Sequence, residues 1–164
     1  SFLGCKLVIQ IGTCGGLQSH LSPGDIILPD EISCEDGVSE HYLNDTKINA
    51  NEEWITRSKE LLTKRGCNVY VGKHVTFSSL FAETVEMYKS WHSSGFLSVE
   101  METAATLAAA KKFGVEGLSI IVVWDELTAG RRFLDPLNKT ELENLHKSNQ
   151  DVYEVALELC LEVS

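Results

Sequence analysis

The chain has 164 residues, with 14 Lys and Arg against 24 Asp and Glu, a formal charge of −10. That balance argues against a nucleic-acid partner, since holding a phosphate backbone takes clustered cations and the runs Lys111-Lys112 and Arg131-Arg132 are too short; an anionic ligand must be held by a few placed groups. With 43% hydrophobic and 23% charged residues the composition is that of a globular protein, and neither a membrane span nor a signal peptide is legible, so a single cytoplasmic domain over residues 1–164 is expected.

The chain opens on Ser1, not Met, and enters an apolar run over residues 6–11. Gly12 and the pair Gly15-Gly16 end it, so it reads as a buried strand entering a tight loop. Opening almost at once on a buried strand is the pattern expected of a domain whose first part is missing. Asp25-Ile26-Ile27-Leu28 follows Pro23-Gly24 as a second strand, and the polar stretch 35–51 reads as a surface excursion. Asn51 can cap a helix over 52–64, with Gly66 as its stop. Residues 69–77 alternate as a strand, 82–91 suit a helix, and the Ala-rich stretch 101–113 is a strong helix. Residues 117–124 form a continuous apolar strand and 140–163 a long helix. Strands alternating with helices imply an α/β protein. The five cysteines, Cys5, Cys14, Cys34, Cys67 and Cys160, are scattered, with no C-x-x-C pair and no zinc spacing, so they are read as reduced thiols and no metal site is expected.

Four segments could carry chemistry. Gly12-Thr13-Cys14-Gly15-Gly16 ends a strand, where α/β sheets usually hold ligand; backbone amides and the Thr13 hydroxyl suit an anion, and a plain tight turn suits the same residues. Glu100 and Glu102 flank Met101 at the start of the Ala-rich helix. Acidic residues there are favoured by the helix dipole, and a carboxylate with two acceptor oxygens also suits a vicinal diol. Asp125 leaves an apolar strand, where burial raises a carboxyl toward the range of a general acid; a solvated loop Asp, or one held ionised by Arg131 or Arg132, is the other reading. Phe77 offers either a face for stacking or a core ring. The histidines show no pairing with a nucleophile, and a Cys14 thiol mechanism has no support beyond its glycines.

Ile11-Gly12-Thr13-Cys14-Gly15-Gly16, Ser98-Val99-Glu100-Met101-Glu102-Thr103-Ala104-Ala105 and Val122-Val123-Trp124-Asp125, in this order and spacing, resemble the superfamily of nucleoside phosphorylases and nucleosidases, which includes bacterial-type purine nucleoside phosphorylases, uridine phosphorylases and methylthioadenosine nucleosidases. The resemblance implies a three-layer α/β/α fold around a mixed sheet. It implies phosphate at Gly12 and Thr13, ribose at Met101 and Glu102, the base against Phe77, Val99 and Glu100, and Asp125 as the acid that protonates a purine leaving group at N7. It further implies phosphorolysis of a (deoxy)ribonucleoside to free base and ribose 1-phosphate, with phosphate as co-substrate, no metal or organic cofactor, and a homo-oligomer.

Three departures shift these expectations. Gln10 stands where phosphorylases typically carry an Arg, which removes a charge-assisted phosphate clamp and favours hydrolysis. Trp124 replaces a small residue beside the base, which together with the absent front segment favours a non-catalytic member. No Gln-x-Arg pair follows the aromatic strand near Phe81, which leans away from uridine phosphorylase. The family's front segment, with its glycine-rich phosphate loop and basic ligand, is expected to precede Ser1, so the chain reads as the C-terminal two-thirds of the family fold.

Overall fold

The computed structural model describes residues 4–163. Six strands make one mixed sheet: β1 (Leu7–Gly16), β2 (Ile26–Glu35), β3 (Lys47–Asn49), β4 (Val69–Phe77), β5 (Ser98–Glu100) and β6 (Glu116–Glu126), in the order β3-β2-β4-β5-β1-β6. A further antiparallel pairing of β2 with β6, at Ile26↔Val122 and Ile27↔Ile121, curls the sheet back on itself. Alternation sorts the side chains of β6: Leu118, Ile120 and Val122 join one apolar cluster, whereas Ile121 and Val123 join another with Cys14, Leu21 and Ile27 inside the curl.

Helices cover both faces. On one face α1 (Glu52–Lys64) and α4 (Lys139–Glu162) bury Ile55, Leu61, Leu62, Leu145, Val152, Val155 and Leu159 against β2 and β6. On the other, α3 (Thr103–Lys112) lays Ala104, Leu107 and Ala108 on Ile32 and Ile48. The short α2 (Val85–Ser93) packs Trp91 near Val75, Val99 and Leu127. Each apolar side chain so buried stabilises the fold by about 1.5–3 kcal/mol before chain entropy is counted. The helix starts follow from their caps: Asn51 Oδ1 accepts from Glu53 N at 2.9 Å, and Asn138 and Glu141 form a reciprocal capping box. No helix among the described residues is long and apolar enough to cross a membrane.

Three features differ from the sequence-based expectation. The first strand does not stop at Gly12 but continues to Gly16, so the glycines are strand residues and none of Gly12, Gly15 and Gly16 has positive φ. Stretch 35–51 holds a 3-10 turn, pinned where Asp36 accepts from Ser39 N and Oγ at 2.9 and 2.6 Å, and then β3, whose Ile48 is buried on the edge of the sheet. The last strand runs two residues past Trp124, which places Asp125 within it.

Candidate active site

β1 pairs with β6 along its length, but on its other side meets β5 only at Gly15↔Val99 and Gly16↔Ser98. The strands diverge beyond that point, and the gap is a cavity of about 410 Å³ walled by Gly12–Gly15, Val99–Glu102, Trp124 and Asp125, within the size range of small-molecule sites. Leu80, Glu83, Leu127 and Phe133 complete the wall. A larger groove of about 1080 Å³ beside α1 is walled by solvent-facing charged residues such as Glu52, Lys59 and Lys64 and contains none of these groups.

The glycines serve close approach, not a turn. A Cβ on Gly15 would lie 2.5 Å from Leu127 Cδ1 and 3.2 Å from Asp125 Oδ1, so the absence of a side chain there lets the Asp125 carboxyl rest against β1. The register between β1 and β6 shifts at the same point: Cys14 faces Val123 and Gly15 faces Asp125, which leaves Trp124 as the extra residue of a bulge. The bulge aims Asp125 at the cavity, and Trp124 packs on Phe133 with ring centroids 5.5 Å apart.

Asp125 is buried, and burial raises its carboxyl from the ordinary 3.8 to about 6. Its own backbone amide and that of Phe133 hold it back from rising further, while the charges of Glu83 and Asp135 add to the rise. Arg131 does not neutralise it. That guanidinium is bound to Glu126 at 2.6 Å and, through two nitrogens, to Glu141 at 2.7 and 2.9 Å, which ties the segment after β6 to the start of α4.

Glu100 has a different environment. Its Oε1 accepts from His74 Nε2 at 2.9 Å, Thr76 Oγ1 at 2.9 Å and Thr103 N at 3.1 Å, and its Oε2 from Glu102 N at 2.7 Å and Thr103 N at 2.9 Å. Burial opposes the charge, but these donors, led by His74, win and hold the carboxyl below its usual range. Thr76 Oγ1 also accepts from Ala104 N at 2.9 Å. Glu100 and Thr76 thus take the amides that open α3. Glu102, exposed at the rim, shifts the other way: partial burial raises its carboxyl, and neighbouring Glu100 raises it further.

Of the residues singled out from sequence, Gly12, Thr13, Val99, Glu100, Met101, Glu102 and Asp125 come together on the cavity wall. Phe77 does not: its ring lies 5.7 Å from that of Trp91 on the α2 side, and Trp124 and Phe133 are the aromatic rings of the wall. Glu100 lines the cavity, but its carboxylate is turned to His74, Thr76 and the start of α3. Gln10 is not on the cavity wall: its Oε1 accepts from Thr103 Oγ1 at 3.0 Å and from Ser119 Oγ, while its Nε2 lies 3.1 Å from where a Cβ on Gly12 would stand. Burial pushes the Cys14 thiol far above its usual range, which disfavours the nucleophilic thiolate. Sequence reasoning missed His74, Leu127 and Phe133; the only trace of His74 was its place in an alternating strand.

A family model described as the phosphorylase superfamily matches residues 2–162. The chain is 30% identical over 158 residues to a protein named purine nucleoside phosphorylase DeoD-type from Caldanaerobacter subterraneus subsp. tengcongensis, and equally so to one of that name from Alkaliphilus metalliredigens. Each alignment covers 95% of this chain and 65% of the relative, so the chain spans slightly less than two thirds of their length. A solved structure described as the P knowlesi homolog of P falciparum PNP superposes with a TM-score of 0.74 at 21% identity, over 94% of this chain and 64% of that one, a likeness of fold.

Proposed function

We propose that this chain, which belongs to the phosphorylase superfamily, carries the nucleoside site of a purine-type nucleoside phosphorylase, cleaving the N-glycosidic bond of a (deoxy)ribonucleoside with phosphate as co-substrate. The observation that carries the reading is Asp125, a buried carboxyl raised to about 6, facing the same cavity as the Val99–Glu102 segment. In this reading the base lies between Val99 and the Trp124–Phe133 wall, Met101 underlies the sugar, and Glu102 accepts from its hydroxyls. Thr13 and the backbone of Gly12 meet phosphate.

The bond between C1′ and the base nitrogen breaks with its electron pair moving onto the base. Asp125 delivers a proton to N7, so the departing purine leaves neutral, and a phosphate oxygen bonds to C1′. A positioned acid of this kind contributes about 10²–10⁴-fold. Positive charge gathers on the sugar in the transition state, where the carboxylate-rich wall is worth more than in water. The relatives' names support the reaction class, and Gln10 supports a second reading, hydrolysis, because the position expected to clamp phosphate carries a neutral amide whose oxygen is engaged by Thr103 and Ser119.

Base release from inosine, adenosine, methylthioadenosine and uridine, each with and without phosphate, separates the readings. Phosphate-dependent release of purine supports phosphorolysis, and release indifferent to phosphate supports hydrolysis. No release from any of the four removes catalysis by this chain. We also read the protein as cytoplasmic and as a homo-oligomer, with Phe81 and Leu134, 96% and 86% exposed, as candidate interface residues; elution as a monomer at working concentration contradicts the oligomer.

A further inference from the structure

His74 is a fully buried imidazole in the middle of β4, and neither of its ring nitrogens is idle: Nε2 lies 2.9 Å from Glu100 Oε1 and Nδ1 2.8 Å from Ser98 Oγ. Because the Glu100 oxygen is an acceptor, the Nε2 position carries a proton and the ring's orientation is fixed from both ends. The β4–β5 register sets this up by placing His74 opposite Ser98 and Thr76 opposite Glu100. Glu100 in turn grips the Glu102 amide at 2.7 Å. The chain of contacts from the imidazole therefore ends on the backbone of the one rim carboxylate suited to a diol.

We propose that His74 is a positioning residue for Glu102, and so a determinant of how strongly the cavity prefers a sugar bearing 2′ and 3′ hydroxyls. This rests on the reading that Glu102 receives those hydroxyls. His74 touches no ligand itself. Its donor locks the plane of the Glu100 carboxylate, and that plane sets the direction of the peptide leading into Glu102. Without the Nε2 donor, one Glu100 oxygen loses a buried partner and the carboxylate can rotate, taking the Glu102 backbone with it. Thr76 and the Thr103 amide hold the rest of the carboxylate, so Glu102 should be displaced rather than released.

The test is equilibrium titration of the full chain with adenosine and with 2′,3′-dideoxyadenosine. The wild type should prefer adenosine, and Glu102→Ala, which removes both acceptor oxygens, should lose that preference. His74→Asn, whose amide falls near Nδ1 and cannot reach Glu100, should weaken adenosine by about tenfold and leave the dideoxy ligand unchanged. His74→Gln, whose Nε2 falls near that of the imidazole, should recover most of the loss. Should His74→Asn fail to fold, Ser98→Ala, which frees only the Nδ1 end, should give a smaller loss confined to adenosine. Equal weakening of both ligands, or an intact preference in His74→Asn, overturns the positioning role. A wild type that binds the two ligands equally, or a Glu102→Ala that keeps the preference, instead removes the Glu102 reading beneath it.

Discussion

If Asp125 is a carboxyl kept protonatable by burial, it stores a stability cost that its removal should release. Moving a carboxyl from 3.8 in the unfolded chain to about 6 in the native one corresponds to about 3 kcal/mol. The sign follows from proton counting: between those values the native state binds more protons than the unfolded one, so native stability falls as pH rises through the window and stays reduced above about 6. Asp125→Asn cannot ionise and keeps an oxygen to accept from the amides of Asp125 and Phe133. Allowing about 1 kcal/mol for imperfect hydrogen bonding, the variant should be more stable than the parent by about 2 kcal/mol at pH 8, about 4–8 °C in Tm for a chain of this size. Between pH 5 and pH 8 the gap should widen by about 1.5 kcal/mol. The same variant should lose about 10²–10⁴-fold in purine release. Thermal melts followed by circular dichroism at both pH values, beside the base-release assay, give the answer. A gap that does not change with pH, or a variant less stable than the parent at pH 8, refutes the argument that burial raises the Asp125 carboxyl at the expense of the fold.

Three further outcomes follow from single contacts. Gly15→Ala puts a methyl 2.5 Å from Leu127 Cδ1 and 3.2 Å from Asp125 Oδ1, so it should cost about 1–3 kcal/mol in denaturant unfolding and lower kcat more than it raises KM. Glu100→Gln replaces a carboxylate held below its usual range, whose contribution is present above the ordinary 4.5 and fades as pH falls through the lowered value; the variant should be less stable by about 1–3 kcal/mol at pH 7 and show a flatter acid limb in unfolding. Arg131→Ala cuts the ties to Glu126 and Glu141, and limited proteolysis should then cleave within 127–138 several-fold faster than in the parent.

Local signals carried much of the secondary structure. Asn51 with Gly66 bounded α1, the alternation of 69–77 bounded β4, and the alanines of 103–112 left no alternative to a helix. What was not legible depended on register. Phe77 shares a face of β4 with Val75, and that face meets Trp91 and Val99, so strict alternation already spoke for a core ring, although its place at a strand end suggested stacking. His74 and Thr76 share the opposite face, but that this face meets Ser98 and Glu100 is fixed only by the pairing of β4 with β5, contacts 24 and 26 residues apart in the chain. The glycines misled for a related reason. In sequence they punctuate a strand, whereas in the fold they thin it so that Leu127 and Asp125 can approach.

The four carboxyls on the cavity wall, Glu83, Glu100, Glu102 and Asp125, are not four equal charges. Among the described residues the wall carries no Lys, Arg or His, so each carboxylate must find its stabilisation in donors. Glu100 takes five hydrogen bonds and is held anionic. Glu83, Glu102 and Asp125 are each raised, with desolvation as the largest cause. A negative charge locked at Glu100 thus makes its neighbour Glu102 easier to protonate, which lessens the repulsion an incoming anion would meet at the rim. The same wall favours positive charge on the sugar once the glycosidic bond begins to break. A phosphate dianion must still approach carboxylates with neutral donors alone to receive it, the Thr13 hydroxyl, strand amides and the Gln10 Nε2 beside Gly12, whereas water pays no such electrostatic cost. The phosphate dependence of base release therefore measures whether cations from outside the described wall reach the Gly12–Thr13 edge: phosphorolysis requires them, and hydrolysis does not.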